Sequence, residues 1–129
     1  MKQIVFPRIG RLRVSVNQEC NLDCLYCHEE GEFTERTDRM NSEEIKALID
    51  ILNEYGIDEI KAASKEPLLY RKTPELLAHF KKIGIKKTSL TTNGILLKRY
   101  LRKLEDAGLD ELSISLDALD QKTFDMLYR

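Results

Sequence analysis

From Arg11 to Val16 the chain alternates, with Leu12, Val14 and Val16 set between Arg11, Arg13 and Ser15. A period of two places these sets on opposite faces of a strand. From Asn41 the spacing lengthens to three and four: Ile45, Leu48, Ile49, Leu52 and Tyr55 mark one face of a helix that Gly56 ends. Asn41 and Glu44 have the spacing of a capping box at its start. Ile57 to Ala63 reads as a second strand. Thr73 as N-cap and Pro74 at the first position open a second helix that runs to Gly84. Lys87 to Thr91 is a third strand, Asn93-Gly94 a turn, and Leu96 to Ala107 a third helix closed by Gly108. Leu112 to Leu116 is a fourth strand, and Asp120 caps a last helix. Strand and helix alternate four times, which predicts an α/β fold with about four parallel strands and the helices packed outside.

The 129 residues make one domain by length. A closed barrel of alternating strands and helices takes roughly 250 residues. The expectation is therefore an incomplete barrel: either a fragment of a longer enzyme, or an open sheet whose bare edge a partner or a second copy covers. The chain is 42% hydrophobic and 33% charged, with 21 basic against 22 acidic residues and a net charge of −1. That balance gives no footprint for nucleic acid. No apolar run approaches the roughly 18 residues of a membrane span, and Met1 to Gly10 lacks the pattern of an export signal. A cytoplasmic protein is expected. The polar stretch Gly31 to Arg39 reads as a mobile loop, and Lys81-Lys82 and Lys86-Lys87 as solvated faces.

Composition changes the picture at one place. All three cysteines, Cys20, Cys24 and Cys27, fall within eight residues just after the first strand. In a reducing compartment such clusters are metal ligands or catalysts more often than disulfides. A disulfide would leave one thiol over, and structural zinc takes four ligands. Three thiolates at C-x3-C-x2-C spacing suit a [4Fe-4S] cluster with one iron open to another ligand. Three rival readings stand beside this one. Cys24 to His28 matches a haem-attachment signature but leaves Cys20 unused. Zinc could take the three thiolates with His28, although adjacency to Cys27 strains a tetrahedron. Unligated core cysteines fit poorly with the polar neighbours Asn21, Asp23, His28 and Glu29.

The segment from Arg11 to Glu30, RLRVSVNQECNLDCLYCHEE, resembles the first strand and cluster loop of the radical S-adenosylmethionine (SAM) superfamily. With IKAASKEPLLYR from Ile60, LTTNGILLKR from Leu90 and GLDELSISLDALDQKTFDML from Gly108, the chain looks like the N-terminal part of the GTP 3′,8-cyclases of molybdenum cofactor biosynthesis. The resemblance implies a partial radical SAM core over 1–129, with its cluster loop at 17–30 and the cluster on Cys20, Cys24 and Cys27. It further implies a lyase that cleaves SAM reductively to a 5′-deoxyadenosyl radical, using an external electron donor. Tyr26, Glu66 and Ser115 match positions at the SAM site. Arg13, Lys61 and Thr91 match positions that bind the small-molecule substrate, GTP. No side chain of this chain is implied to be catalytic.

Two departures shape an alternative. Where the family has two glycines before Glu66-Pro67, this chain has Ser64 and Lys65, adding a Cβ at each position and a cation beside a cationic ligand. GTP cyclases of this kind also carry a late cysteine triad for the purine, and no cysteine follows Cys27 here. Unaided GTP cyclisation is not expected. The alternative is a non-catalytic iron–sulfur or zinc module that has lost SAM binding.

Overall fold

The alternation in the strand segments is resolved as one parallel sheet in a computed structural model that describes residues 10–27 and 39–128. The strands are β1 (Arg11–Val14), β2 (Glu59–Ala62), β3 (Lys87–Thr92) and β4 (Glu111–Ile114). They lie side by side in chain order, each joined in parallel to the next. The connecting helices are α1 (Ser42–Glu54), α2 (Thr73–Lys82) and α3 (Leu97–Asp106), and α4 (Gln121–Leu127) follows β4. Strands laid down in sequence, with a helix in each crossover, are the arrangement of a barrel wall. Among the described residues the wall is open, β1 and β4 each pairing on one side.

Register sorts the side chains. Leu12, Ile60, Thr88 and Val14, Ala62, Leu90, Leu112 form rows facing the helices. Against them pack Ile45 and Ile49 of α1, Leu76, Leu77 and Phe80 of α2, and Tyr100 and Leu104 of α3. Each of these large side chains contributes about 2 kcal/mol by leaving water. The other face carries Arg11, Glu59, Lys87 and then Arg13, Lys61, Ser89, Glu111. Arg11 pairs with Glu59 at 2.8 Å, and Lys87 with Glu111 at 2.6 Å. The concave side of the wall is therefore polar, and the convex side is the core.

Local signals account for most element ends. Both halves of the capping box form: Asn41 Oδ1 accepts from the Glu43 and Glu44 amides, and Glu44 accepts from the Asn41 amide at 2.7 Å. Asp120 caps α4 through the Thr123 amide at 2.9 Å. Thr73 departs from its expected role. Lys72 occupies the N-cap position of α2 without a side-chain bond, while the Thr73 hydroxyl is buried and donates to the Pro67 carbonyl at 2.6 Å. Pro67–Leu69 forms a 3-10 turn that the sequence pattern did not announce. The lysine pairs are also more than solvated faces. Lys81 reaches the Lys86 carbonyl at 2.9 Å and Asp110 at 3.0 Å, and Lys87 lies on the inner face of the sheet. Amide and hydroxyl bonds from Thr88 hold the Asp110 carboxyl below its usual range, aided by Lys81 against partial burial. Of the stretch read as a mobile loop, residues 31–38 lie outside the described residues, as does His28.

Candidate metal and cofactor site

At the C-terminal ends of the strands a cavity of about 490 Å³ is lined by Cys20, Cys24 and Cys27 together with Tyr26, Ser64, Lys65, Thr91, Asn93, Ser115, Asp117 and Tyr128. Parallel-barrel sites belong at this end, because the chain turns there from strand to loop and exposes side chains from several strands at once. The volume is within the range that encloses a ligand of cofactor size.

The cysteine loop is tied down on three sides. The Glu66 amide donates to the Glu19 carbonyl at 2.9 Å, and Asn17 Nδ2 donates to the Glu66 carbonyl at 2.8 Å. From β3, Asn93 Nδ2 donates to Asn21 Oδ1 at 2.8 Å and approaches Cys20 Sγ at 3.9 Å. From beyond β4, the Leu127 carbonyl accepts from the Leu25 amide at 3.0 Å. A tight turn closes the loop itself, the Cys27 amide donating to the Cys24 carbonyl at 3.0 Å.

Glu66 organises the walls from behind. Its side chain is fully buried and is not among the residues lining the cavity. Oε1 accepts from the Leu68 amide at 3.0 Å and from the Thr92 hydroxyl at 2.7 Å, and Oε2 accepts from the Asn93 amide at 2.8 Å. One carboxylate therefore fixes the 3-10 turn, the end of β3 and the Asn93 turn together.

Of the residues singled out from the sequence, Cys20, Cys24, Cys27, Tyr26, Thr91 and Ser115 meet in this one cavity. Arg13 and Lys61 do not line it. They are register partners on the sheet face turned away from the helices, one residue before the ends of β1 and β2. Asn93, Asp117 and Tyr128 were not singled out. Asn93-Gly94 had been read only as a turn, and the signal for Asp117 was its place three residues beyond a strand end.

The chemistry of the donors can be tested against a cluster and a polar ligand. Cys20 and Cys27 are exposed and Cys24 is half-buried. Burial raises the Cys24 pKa, opposed by a hydrogen bond from Tyr26, while Cys27, Cys20 and Asp117 raise it further by charge. A cation that replaces the thiol protons relieves that mutual repulsion. The sulfurs face one space without forming a preassembled ligand set among the described residues. Three thiols with no fourth protein ligand grouped beside them among the described residues fit a cluster with an open iron better than a closed zinc site. Ser64 Oγ and Thr91 Oγ1 are buried without a hydrogen-bond partner. Each costs about 1–3 kcal/mol until something satisfies it, so the cavity favours a polar ligand. Hydrogen bonds from Tyr26 and Tyr128 hold Asp117 below the usual carboxylate range, and the same bond to Asp117 pushes Tyr26 strongly upward.

Comparison with known proteins gives the family. The Radical SAM superfamily matches residues 14–129. The chain is 45% identical over 113 residues to a protein of Methanococcus maripaludis strain S2 named "Probable GTP 3′,8-cyclase", covering 88% of this chain and 38% of that protein. A protein of the same name from Methanococcus aeolicus is 42% identical over 127 residues, covering 96% and 42%. One from Sulfolobus acidocaldarius is 39% identical over 124 residues, covering 96% and 39%. The chain thus spans about two fifths of the length of these relatives.

Proposed function

Because the chain belongs to the radical SAM superfamily, we propose that its thiol-lined cavity holds a [4Fe-4S] cluster on Cys20, Cys24 and Cys27, with SAM at the remaining iron. On this reading the chain acts as the N-terminal portion of a GTP 3′,8-cyclase in molybdenum cofactor biosynthesis. When bound, the pair supplies one-electron chemistry, an external donor's electron breaking a carbon–sulfur bond of SAM to give a 5′-deoxyadenosyl radical. The observation that carries the reading is the meeting of three thiols and two orphaned hydroxyls in one cavity at the strand ends.

The residues around the cavity then have separate tasks. Tyr26 and Ser115 both line the cavity and are assigned to contact the ligand. Thr91 and Ser64 offer their unpartnered hydroxyls to its polar groups. Glu66 serves the cofactor site from behind, by fixing the loops that carry Asn93 and the cysteines. Arg13 and Lys61 sit side by side across β1 and β2. Like charges placed opposite each other are unfavourable until an anion lies between them. The phosphates of a nucleotide such as GTP would meet that need, with Thr91 higher on the same face.

One observation favours the second reading, a metal module without SAM chemistry: Lys65 stands on the cavity wall, where its ammonium opposes a cationic sulfonium. Anaerobic reconstitution with iron and sulfide, followed by metal analysis, tests the first reading. About four irons and four sulfides per chain are expected. SAM and dithionite are then added and 5′-deoxyadenosine is measured, with Cys24→Ala as the control that loses both cluster and product. A loaded cluster that leaves SAM intact selects the metal module, and a protein holding only zinc refutes both forms of the cluster assignment.

A further inference from the structure

The geometry points to a further role for Asp117: it is a positioning residue that clasps the cysteine loop to the segment after β4 and biases the cluster held there toward a lower reduction potential. This rests on the cluster reading above for the potential, but not for the clasp.

Asp117 lies three residues beyond β4 and lines the cavity together with the cysteines. Its amide donates to the Tyr128 hydroxyl at 2.7 Å, and that hydroxyl donates to Asp117 Oδ2 at 3.0 Å. The hydroxyl of Tyr26, between Cys24 and Cys27 in sequence, bonds to the same carboxylate. The two tyrosine rings meet edge to face with centroids 6.0 Å apart, and Phe124 of α4 stacks on Tyr128 at 4.4 Å. Next to Tyr26, the Leu25 amide is held by the Leu127 carbonyl at 3.0 Å. The loop and the segment after α4 therefore converge on one carboxylate, through side chains and backbone together.

One electrostatic consequence follows. Asp117 lines the same cavity as the three cysteines, and a carboxylate charge near Cys24 opposes the addition of an electron to a cluster on that sulfur. Asp117 lowers the potential by its charge.

The test uses reconstituted holoprotein, titrated with dithionite under dye mediation, with iron content and circular dichroism measured on every sample. Asp117→Asn keeps the shape and an acceptor but removes the charge. Its midpoint should move to a less negative value with iron content unchanged. Asp117→Ala, which removes the same charge, should move in the same direction. An Asp117→Asn midpoint equal to wild type, on a fully loaded cluster, overturns the proposal. The clasp has its own readout: Leu25 amide exchange in the metal-free protein should quicken at least tenfold in Tyr128→Phe, and unchanged exchange there overturns it. Wild-type protein that takes up no iron would instead sink the cluster reading and the potential claim, a result that metal analysis separates from the rest.

Discussion

Replacing Glu66 by glutamine changes one oxygen to an NH2 group at a site with no room for the exchange. The carboxylate is fully buried and accepts three hydrogen bonds, from Leu68 N, Asn93 N and the Thr92 hydroxyl. A glutamine can keep its oxygen toward Leu68 and Thr92, as Oε1 now stands. Its nitrogen then faces the Asn93 amide, donor against donor. One charge-assisted bond worth about 1.5–3 kcal/mol is lost, and a buried amide is left unsatisfied at a cost in the same range. Allowing for relaxation, Glu66→Gln should destabilise the fold by about 3 kcal/mol. Glu66→Ala, which strands all three donors, should cost about 4–5 kcal/mol. Urea unfolding followed by circular dichroism reads this as a lower midpoint at unchanged slope. The substitution should also slacken the Asn93 turn that holds Asn21, so the iron taken up on reconstitution should fall with stability. If Glu66→Gln unfolds within about 0.5 kcal/mol of wild type, the buried-carboxylate argument is wrong, because the surviving structure would then tolerate opposed donors.

Two further outcomes follow from local geometry and charge. Gly94 has φ +85, and a Cβ there would lie 3.2 Å from Ile114 Cγ2, whereas Gly84, at φ +95, faces open space. Gly94→Ala should therefore cost more than the backbone strain of about 1–2 kcal/mol expected for Gly84→Ala, and equal losses in urea unfolding would dismiss the Ile114 contact. Glu75 is pulled down to about 2 by hydrogen bonds from Lys46 and then Lys72. Its folded value lies below its unfolded one, so its contribution is fully present above about pH 4.5 and fades as the pH falls toward 2. These ion pairs lie at the surface, where such pairs add little to stability. The unfolding midpoints of Glu75→Gln and wild type should converge between pH 5 and about 2, and a constant gap would exclude the linkage.

The sequence pattern was most legible where one short-range rule decided the outcome. Alternation marked β1 and the three- and four-residue spacing marked α1; the segments read as the remaining strands and, from their cap signals, helices agree within a few residues at their ends. The Asn41 box and the Asp120 cap formed as their spacing implied. Thr73 was misread because a tertiary acceptor, the Pro67 carbonyl, outbid the local helix end. Within the site, six of the nine residues singled out share a cavity, since strand-end positions converge once strand order is known. Glu66 was legible as a site position but not as a buried strut. Its three donors lie up to 27 residues from it along the chain, and no local pattern encodes that convergence. Asp117 and Tyr128 escaped notice for the same reason: their partner, Tyr26, is about a hundred residues earlier.

Strands that join the sheet in chain order set a timetable for assembly. During synthesis the three cysteines emerge well before the residues from Thr91 to Tyr128 that line the same cavity, Thr91 following Cys27 by 64 residues. For several seconds at ordinary translation rates the sulfurs stand on a nascent chain without those residues to shield them. Oxidants and adventitious metals therefore have their best opportunity in that interval, which closes as Asp117 and Tyr128 arrive.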